Sequence, residues 1–348
     1  MSSIPQFVAQ APLTTTMGVG GPAEWLARVT SVAEAVQALD FAEQHGLQWF
    51  VVGGGSNVVI ADRGLAGVVL HPALPDVPIA VLGDDGERVL LRVAAGLDWD
   101  ELVAWSVEQG LQGIECLSGI PGQVGAAPVQ NIGAYGQEVA EVLLAVHGVD
   151  VAAKAARTWT AAECQLSYRD SVFKQNPQLA VVLAVDLQLW RGRPACLAYA
   201  QVQQAAAGVD VEGPQGLARV RELVLQLRAD KGMVVRPDDP DSRSCGSFFT
   251  NPIVDLAFAE QVRARLAPGG AMPMWPYGTG QVKLSAAWLI EKSGLHKGFG
   301  EGRVGLSTKH TLAIVNRGGA TAKEVLDFAE LVVRRVQAAS GVGLVAEV

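Results

Sequence analysis

Ile120-Pro121-Gly122-Gln123-Val124-Gly125-Ala126-Ala127-Pro128-Val129-Gln130-Asn131-Ile132-Gly133-Ala134-Tyr135-Gly136 is the stretch on which the reading of this chain turns. With Gly119 just before it, five glycines fall between Leu117 and Gly136. Positions without a β-carbon let backbone approach a flat ligand closely. The segment is too long, and too structured in sequence, to be a simple connection, and it reads as a binding loop. A second glycine-rich segment lies upstream. Gly53-Gly54-Gly55-Ser56-Asn57 follows the apolar run Trp49-Phe50-Val51-Val52 and precedes Val68-Val69-Leu70. Bare N–H groups and two small polar side chains there suit a pyrophosphate. The segment fits neither GxGxxG nor the Walker pattern, because Val58 stands where a third glycine would fall and no Gly-Lys-Ser/Thr follows. Taken alone it reads equally well as a plain strand-to-loop turn.

Outward from these segments, strand and helix signals alternate. Ser31-Val32-Ala33-Glu34 is a capping box, and Ala35, Val36, Leu39 and Ala42 follow at helical spacing, which predicts a helix over 32–45 before Gly46. With the strands 49–52 and 68–70 it forms a βαβ-like start. A strand is expected over 88–93, and a helix capped by Asp98 is expected to end near Gly110. Further strands are expected over 143–149 and 180–189, a helix over 217–229, and a boundary near residue 225. Residues 236–244 read as a loop, 255–266 and 284–293 as helices, and 310–315 as a strand. Thr321-Ala322-Lys323-Glu324 is another capping box, opening a long helix with Val325, Phe328, Ala329, Val332 and Val336 on one face.

Bulk properties narrow the function. A length of 348 residues favours two or three domains. Hydrophobic residues make up 49% and charged ones 18%, the composition of a globular chain with a core to bury. Each apolar run, such as 179–185, is broken well short of membrane-spanning length, so no membrane insertion is expected. The start Met-Ser-Ser-Ile-Pro has no basic residue before Arg28 and no apolar signal run, so a cytoplasmic protein is expected. The cysteines 116, 164, 196 and 245 lie far apart without a CxxC pair, and no HExxH is present, which argues against structural zinc, any other metal site and a disulfide framework. A formal net charge of -8 and the lack of a Lys/Arg cluster on a helix face oppose nucleic-acid binding.

Four motifs, in order and spread over nearly the whole chain, resemble the UDP-N-acetylenolpyruvoylglucosamine reductase family: Gly53 to Asn57, the stretch 120–136, Tyr168-Arg169-Asp170-Ser171-Val172-Phe173-Lys174, and Gly246-Ser247-Phe248-Phe249-Thr250-Asn251-Pro252. The resemblance implies an α+β chain with a vanillyl-alcohol-oxidase (PCMH-type) FAD-binding fold of two subdomains, plus a C-terminal α+β substrate-binding domain. The expected divisions are 1–76 and 77–225 for FAD, with a C-terminal strand 342–348 as a candidate addition to the first, and 226–341 for a UDP-sugar. It implies FAD as cofactor and NADPH as hydride donor. The activity implied is reduction of the enolpyruvyl ether of UDP-N-acetylglucosamine to the lactyl ether for peptidoglycan precursors, by ping-pong kinetics, in a monomer.

The resemblance also implies roles. Arg169 is matched to the substrate-carboxylate arginine, where a planar fork suits an oxyanion better than an ammonium, with Tyr168 beside it as a substrate contact. Ser247 is matched to the serine that gives the last proton, and Glu347 to a glutamate that steadies the enolate site or relays a proton. The chain stops at Val348 where relatives continue, which leads to an expectation that Glu347 frays. Tyr199, in Arg193-Pro194-Ala195-Cys196-Leu197-Ala198-Tyr199, resembles a loop tyrosine that covers the sugar in one branch of the family. Arg236, aligned through a one-residue gap, and Asn251 are expected diphosphate or substrate contacts. FAD is expected on Gly53, Gly54, Gly55, Ser56 and Asn57 at the pyrophosphate, and on Pro121, Gly122, Val124, Gly125, Gln130, Asn131, Ile132 and Gly133 nearer the ring. Read from the residues alone, Arg169 is more readily a loop arginine held by Asp170, and Ser247 a loop or cap hydroxyl. A flavin oxidase of the same fold and a silent nucleotide-sugar binder are the competing readings. The Gly-Ser-Phe-Phe and Tyr-Arg-Asp motifs oppose the first, and Arg169 with Ser247 opposes the second.

Overall fold

Ser31 and Asp98 each start a helix as their side chains predict. In a computed structural model, which describes residues 5–211 and 213–348, contacts divide the chain into two units: 1–13, 22–55 and 64–229, and 14–21, 56–63 and 230–348. The N-terminal Met-Ser-Ser-Ile, on which the leader reading partly rests, lies outside the described residues.

The first unit opens with β1 (Phe7–Ala11), β2 (Ala23–Val29), α1 (Val32–Gln44), β3 (Trp49–Val51) and β4 (Leu65–Pro72), giving a sheet in the order β1-β2-β4-β3. β2 and β3 both run parallel to β4, while β1 is antiparallel to β2. The Ser31 side chain accepts from the Glu34 amide, and the Glu34 carboxylate also accepts from Thr30, so the start of α1 is closed from both sides. Ala35, Ala38, Leu39 and Ala42 face Ala27, Val29, Val68 and Leu70. Small residues on that helix face let it lie close to the sheet, and each fully buried Val or Leu adds roughly 1.5–3 kcal/mol.

Residue 79 begins a second sheet, from β5 (Ile79–Asp84), β6 (Arg88–Ala94), α2 (Trp99–Glu108), β7 (Leu111–Gln112), β8 (Gly133–Ala134), β9 (Gln137–Glu138), β10 (Leu143–Asp150), β11 (Ala155–Thr160), α3 (Val172–Gln175) and β12 (Ala180–Arg191). The antiparallel order is β11-β10-β12-β6-β5, with β7 also on β12 and β8–β9 a separate small pair. The core is Val89, Leu91 and Val93 under Trp99, Leu102 and Val103, closed by Trp159 and Phe173. α4 (Ala200–Ala205) and α5 (Gly213–Ala229) complete the unit. Leu217, Val220 and Val224 of α5 pack with Val107, Cys116, Tyr135 and Val202. The division between the units falls after Ala229, at the end of α5, a few residues beyond the boundary expected near 225.

The second unit contains β13 (Ile253–Asp255), α6 (Leu256–Leu266), β14 (Met274–Tyr277), β15 (Gln281–Leu284), α7 (Ala286–Lys292), β16 (Val304–Leu306), β17 (Ile314–Asn316) and α8 (Ala322–Ser340). β15 is central in a three-stranded antiparallel sheet, and β16 pairs with β17. Both halves of the Thr321/Glu324 capping box form, and Asp62 adds a carboxylate at the same helix start by accepting from the Ala322 amide at 2.7 Å. Val325, Ala329, Val332 and Val336 then pack with Leu289, Ile290, Leu306 and Ile314.

Two local expectations are corrected. Residues 310–313 are turn rather than strand, because side chains capture the backbone: Ser307 Oγ accepts from the Lys309 and His310 amides, and His310 Nδ1 accepts from the Leu312 amide at 3.1 Å. The C-terminal residues do not extend the first sheet. Ala346 bridges Phe249, the Thr250 amide donates to Val345 O at 3.0 Å, and the Glu347 amide donates to Phe248 O at 2.9 Å, all within the second unit. Glu347 is therefore anchored rather than frayed.

Candidate active site

The two glycine segments meet backbone to backbone inside the first unit. A β-carbon on Gly54 would lie 3.1 Å from Gly122 Cα, and one on Gly53 would lie 2.9 Å from Gln123 Oε1. Val124 and Gly125 are stitched to the turn after β6 by amide bonds to Leu97 O (2.8 Å) and Ala95 O (2.9 Å), and a β-carbon on Gly125 would be 2.5 Å from that of Ala95. Only glycine allows these approaches. The Gly53, Gly54 and Gly55 amides take no hydrogen-bond partner among the described residues. The Gln123 side-chain oxygen beside them is buried without one. Free N–H groups in a side-chain-free cradle are the donor set that a diphosphate needs, so these residues fit FAD. Pro121 and Gly122 line the same approach, half-buried, while Ser56 and Asn57 belong to the second unit. There Asn57 Nδ2 donates to Glu347 O at 3.1 Å, and Ser56 O accepts from Thr16 Oγ1 at 3.2 Å.

The later part of the long segment holds Arg169. Ser167 and Asp170 close a tight turn, with reciprocal amide bonds of 3.1 and 3.2 Å, and Arg169 within it has φ 56°. A non-glycine residue in that region carries strain, which an element keeps where neighbours over-determine it. Arg169 Nη2 donates to Gly133 O at 2.7 Å and Nη1 to Asn131 O at 3.2 Å. Asn131, also at positive φ (46°) and buried, donates from Nδ2 to Glu138 Oε2 (3.0 Å) and Ser167 O (3.1 Å). Gly133 must be bare, since a β-carbon would meet Glu138 Cγ at 2.7 Å and Arg169 Nη1 at 3.4 Å. Tyr168 lies under the guanidinium, 5.7 Å from carbon to ring centroid. Gln130 and Ile132 flank Asn131, both half-buried, with Ile132 packed on the core of the second sheet.

Tyr199 caps α4 and sets its ring edge-on to Tyr135 at 5.6 Å. A β-carbon on Gly136 would reach Ala198 Cβ at 3.1 Å, so the Tyr199 loop lies directly against the glycine segment. Arg228, absent from the sequence reading, is buried near this cluster. Burial pushes its guanidinium down from its ordinary value, Tyr135 and Asp100 oppose that, and Arg169 adds like charge. Leu217, Val220, Val224 and Arg228 follow one another at three- and four-residue steps, so Arg228 continues the buried face of α5, and that spacing is the signal that could have found it.

In the second unit, Gly246 (φ 71°) turns the chain into Ser247, which is half-buried between it and the buried Phe248 and Phe249. The Phe248 amide donates to Leu312 O at 2.9 Å and its carbonyl accepts from Glu347, so Ser247 and Glu347 sit on paired segments. Asn251 Oδ1 accepts from the Ala286 amide at 2.9 Å, which gives it a structural duty at the start of α7. Arg236 is exposed, and its backbone is tied to Ser242 Oγ. The structure thus gathers Asn131, Gly133, Tyr168, Arg169 and Tyr199 in the first unit, and Asn57, Ser247 and Glu347 in the second. Among the described residues no group of three or more His, Cys, Asp or Glu could hold a metal ion, and no helix is long and apolar enough to cross a membrane.

Comparison with known proteins gives this arrangement a class. Residues 23–159 match an FAD-binding domain family, and residues 238–348 match the C-terminal domain of UDP-N-acetylenolpyruvoylglucosamine reductase. A UDP-N-acetylenolpyruvoylglucosamine reductase of Thermobifida fusca is 45% identical over 98% of this chain and 97% of its own length. One of Streptomyces avermitilis is 47% identical over 97% of this chain and 92% of its own. The crystal structure of the Thermus caldophilus enzyme of that name superposes with a TM-score of 0.65 at 27% identity, covering 99% of this chain and 97% of that one. The protein is an FAD-dependent oxidoreductase of α+β fold, an FAD-binding domain followed by a C-terminal domain. Within that class, the chain belongs to the UDP-N-acetylenolpyruvoylglucosamine reductase family.

Proposed function

We propose that this protein reduces UDP-N-acetylglucosamine enolpyruvate to UDP-N-acetylmuramate for peptidoglycan precursor synthesis, with NADPH as the reductant, acting as a cytoplasmic monomer. The observation that carries the reading is the Arg169 guanidinium, fixed on the carbonyls of Gly133 and Asn131 within the glycine segment. FAD, when bound, would supply hydride transfer from NADPH to the methylene carbon of the enolpyruvyl group, the two substrates using the site in turn. The Gly53–Gly55 amides, with Ser56 and Asn57, would hold the diphosphate of the cofactor. Pro121, Gly122, Val124 and Gly125, with Gln130 to Gly133, supply the backbone nearer the ring.

Hydride arrival leaves carbanion character on the carbon next to the substrate carboxylate, best drawn as an enolate with added charge on oxygen. Arg169 meets that charge with a preoriented fork, and Tyr168 limits where the fork can swing. Ser247 Oγ then gives its proton to the α-carbon, completing the lactyl ether. A serine can do this because such a carbon is far more basic than water, so position counts for more than acidity. Glu347, paired in backbone with the residue after Ser247, relays the replacement proton. Tyr199 covers the sugar, while Asn251 and Arg236 contact substrate from residues 226–341.

The test is Ser247→Ala under single turnover. FAD bleaching by NADPH should be unchanged, and reoxidation by the enolpyruvyl sugar should slow by about two to four decades. Unchanged reoxidation removes Ser247 from the mechanism.

A further inference from the structure

Three residues before Tyr199, Cys196 is paired with Cys116, and nothing in the reduction uses either thiol. The Cys116 Sγ–H donates to Cys196 O at 3.3 Å. Backbone bonds clamp both residues: Cys196 N donates to Glu115 Oε1 at 2.7 Å, and Cys116 N donates to Gln137 Oε1 at 2.8 Å. Glu115 is itself buried and also accepts from the Gly113 amide. Cys116 is buried, whereas Cys196 is half-buried on the loop that runs over the glycine segment. The other two cysteines, 164 and 245, are both buried.

We propose that Cys196 and Cys116 form a peroxide-oxidisable dithiol, with Cys196 the reacting sulfur and Cys116 the resolving one. In the first step the Cys196 thiolate attacks a peroxide oxygen; the O–O bond breaks, a sulfenic acid forms and hydroxide leaves. In the second, the Cys116 sulfur attacks the Cys196 sulfur, the S–OH bond breaks, and the Cys116 proton leaves with that hydroxyl as water. One peroxide is reduced and two thiols are oxidised to a disulfide. The order of roles follows from the asymmetry of the pair. Cys196 is half-buried on its loop and within reach of a small oxidant, whereas Cys116 is buried behind it; the interaction with Cys116 holds the Cys196 thiol below its ordinary value, and that interaction together with burial pushes Cys116 up. The resulting bond would fasten the segment 193–199 to residue 116. Its effect on catalysis rests on the reading of Tyr199 as a sugar cover.

The test treats the full-length, FAD-loaded protein with hydrogen peroxide, blocks remaining thiols, and maps peptides by mass before and after dithiothreitol. The expected result is a Cys116–Cys196 linked peptide, lighter by two hydrogens and reversed by dithiothreitol, with Cys164 and Cys245 still alkylated. In Cys116→Ser, dimedone should trap a sulfenic acid on Cys196. A wild-type protein with no linked peptide, or a dimedone adduct on Cys116 and none on Cys196 in the respective single variants, overturns the proposal. Because mass reads the bond itself, an oxidised pair with an unaltered KM for the UDP-sugar would reject only the role of Tyr199.

Discussion

Replacing Arg169 by lysine separates shape from charge at the point where the account places most weight. The strained backbone, φ 56°, is common to both residues, and a lysine keeps one positive charge, so fold and net charge change little. What changes is the fork. Arginine makes two bonds at once, 2.7 Å to Gly133 O and 3.2 Å to Asn131 O, from one planar group. An ammonium that holds one of these carbonyls loses the other and the planar match to an enolate. One hydrogen bond to a charged group is worth about 1.5–3 kcal/mol, which at about 1.36 kcal/mol per decade is roughly tenfold to 150-fold in rate. With the lost planar contact added, reoxidation by the enolpyruvyl sugar should slow on the order of a hundredfold or more. The assay is anaerobic stopped-flow of the NADPH-reduced variant, with bound FAD quantified first by absorbance. A loss below about threefold, at full FAD content, would refute the reasoning and return Arg169 to an ordinary loop arginine.

Gly54→Ala places a β-carbon 3.1 Å from Gly122 Cα and 3.5 Å from its carbonyl carbon, so the two glycine segments must part. A cost of about 1–3 kcal/mol is expected, read as a lower ratio of flavin to protein absorbance after purification; full FAD occupancy would show that the segments do not form the cradle. His310 supplies a pH prediction. Burial pushes its imidazole down to about 4 from 6.5, with Lys231 and Lys297 adding to the shift. Its Nδ1 accepts from the Leu312 amide, which requires that nitrogen to be unprotonated. The folded state thus favours the neutral ring, so this contribution is complete above pH 6.5 and is lost as pH falls from there towards 4. Allowing for partial exposure, the loss is on the order of 2 kcal/mol. His310→Gln should flatten the fall in Tm over that window relative to wild type, and parallel curves would contradict the assignment.

Some of this was legible in the sequence for identifiable reasons. Ser31, Asp98 and Thr321 announced their helices because a capping side chain acts within three residues and needs no tertiary context. The glycine segments were legible because a missing β-carbon is a property of the residue. The second unit was harder. Its strands, such as Val304–Leu306 and Ile314–Asn316, are three or four residues long, too short for an alternation to declare itself. His310 to Ala313 reads as a strand until the Ser307 and His310 side chains are seen to take the backbone bonds. The anchoring of Glu347 depends on a pairing with Phe248 about a hundred residues away, which no local window contains. The spacing of Leu217, Val220, Val224 and Arg228 places Arg228 on the apolar stripe of α5, but that its guanidinium stays buried there, with Tyr135 and Asp100 acting on it, depends on tertiary context.

The most direct test of the account follows flavin absorbance in anaerobic stopped-flow as NADPH and then UDP-N-acetylglucosamine enolpyruvate are added to the purified protein. Bleaching by NADPH, followed by rapid recovery on the enolpyruvyl sugar with formation of UDP-N-acetylmuramate, is the expected result. Bleaching that only dioxygen reverses would contradict it and point to an oxidase, and a protein whose bound flavin NADPH does not bleach would contradict the first half-reaction outright.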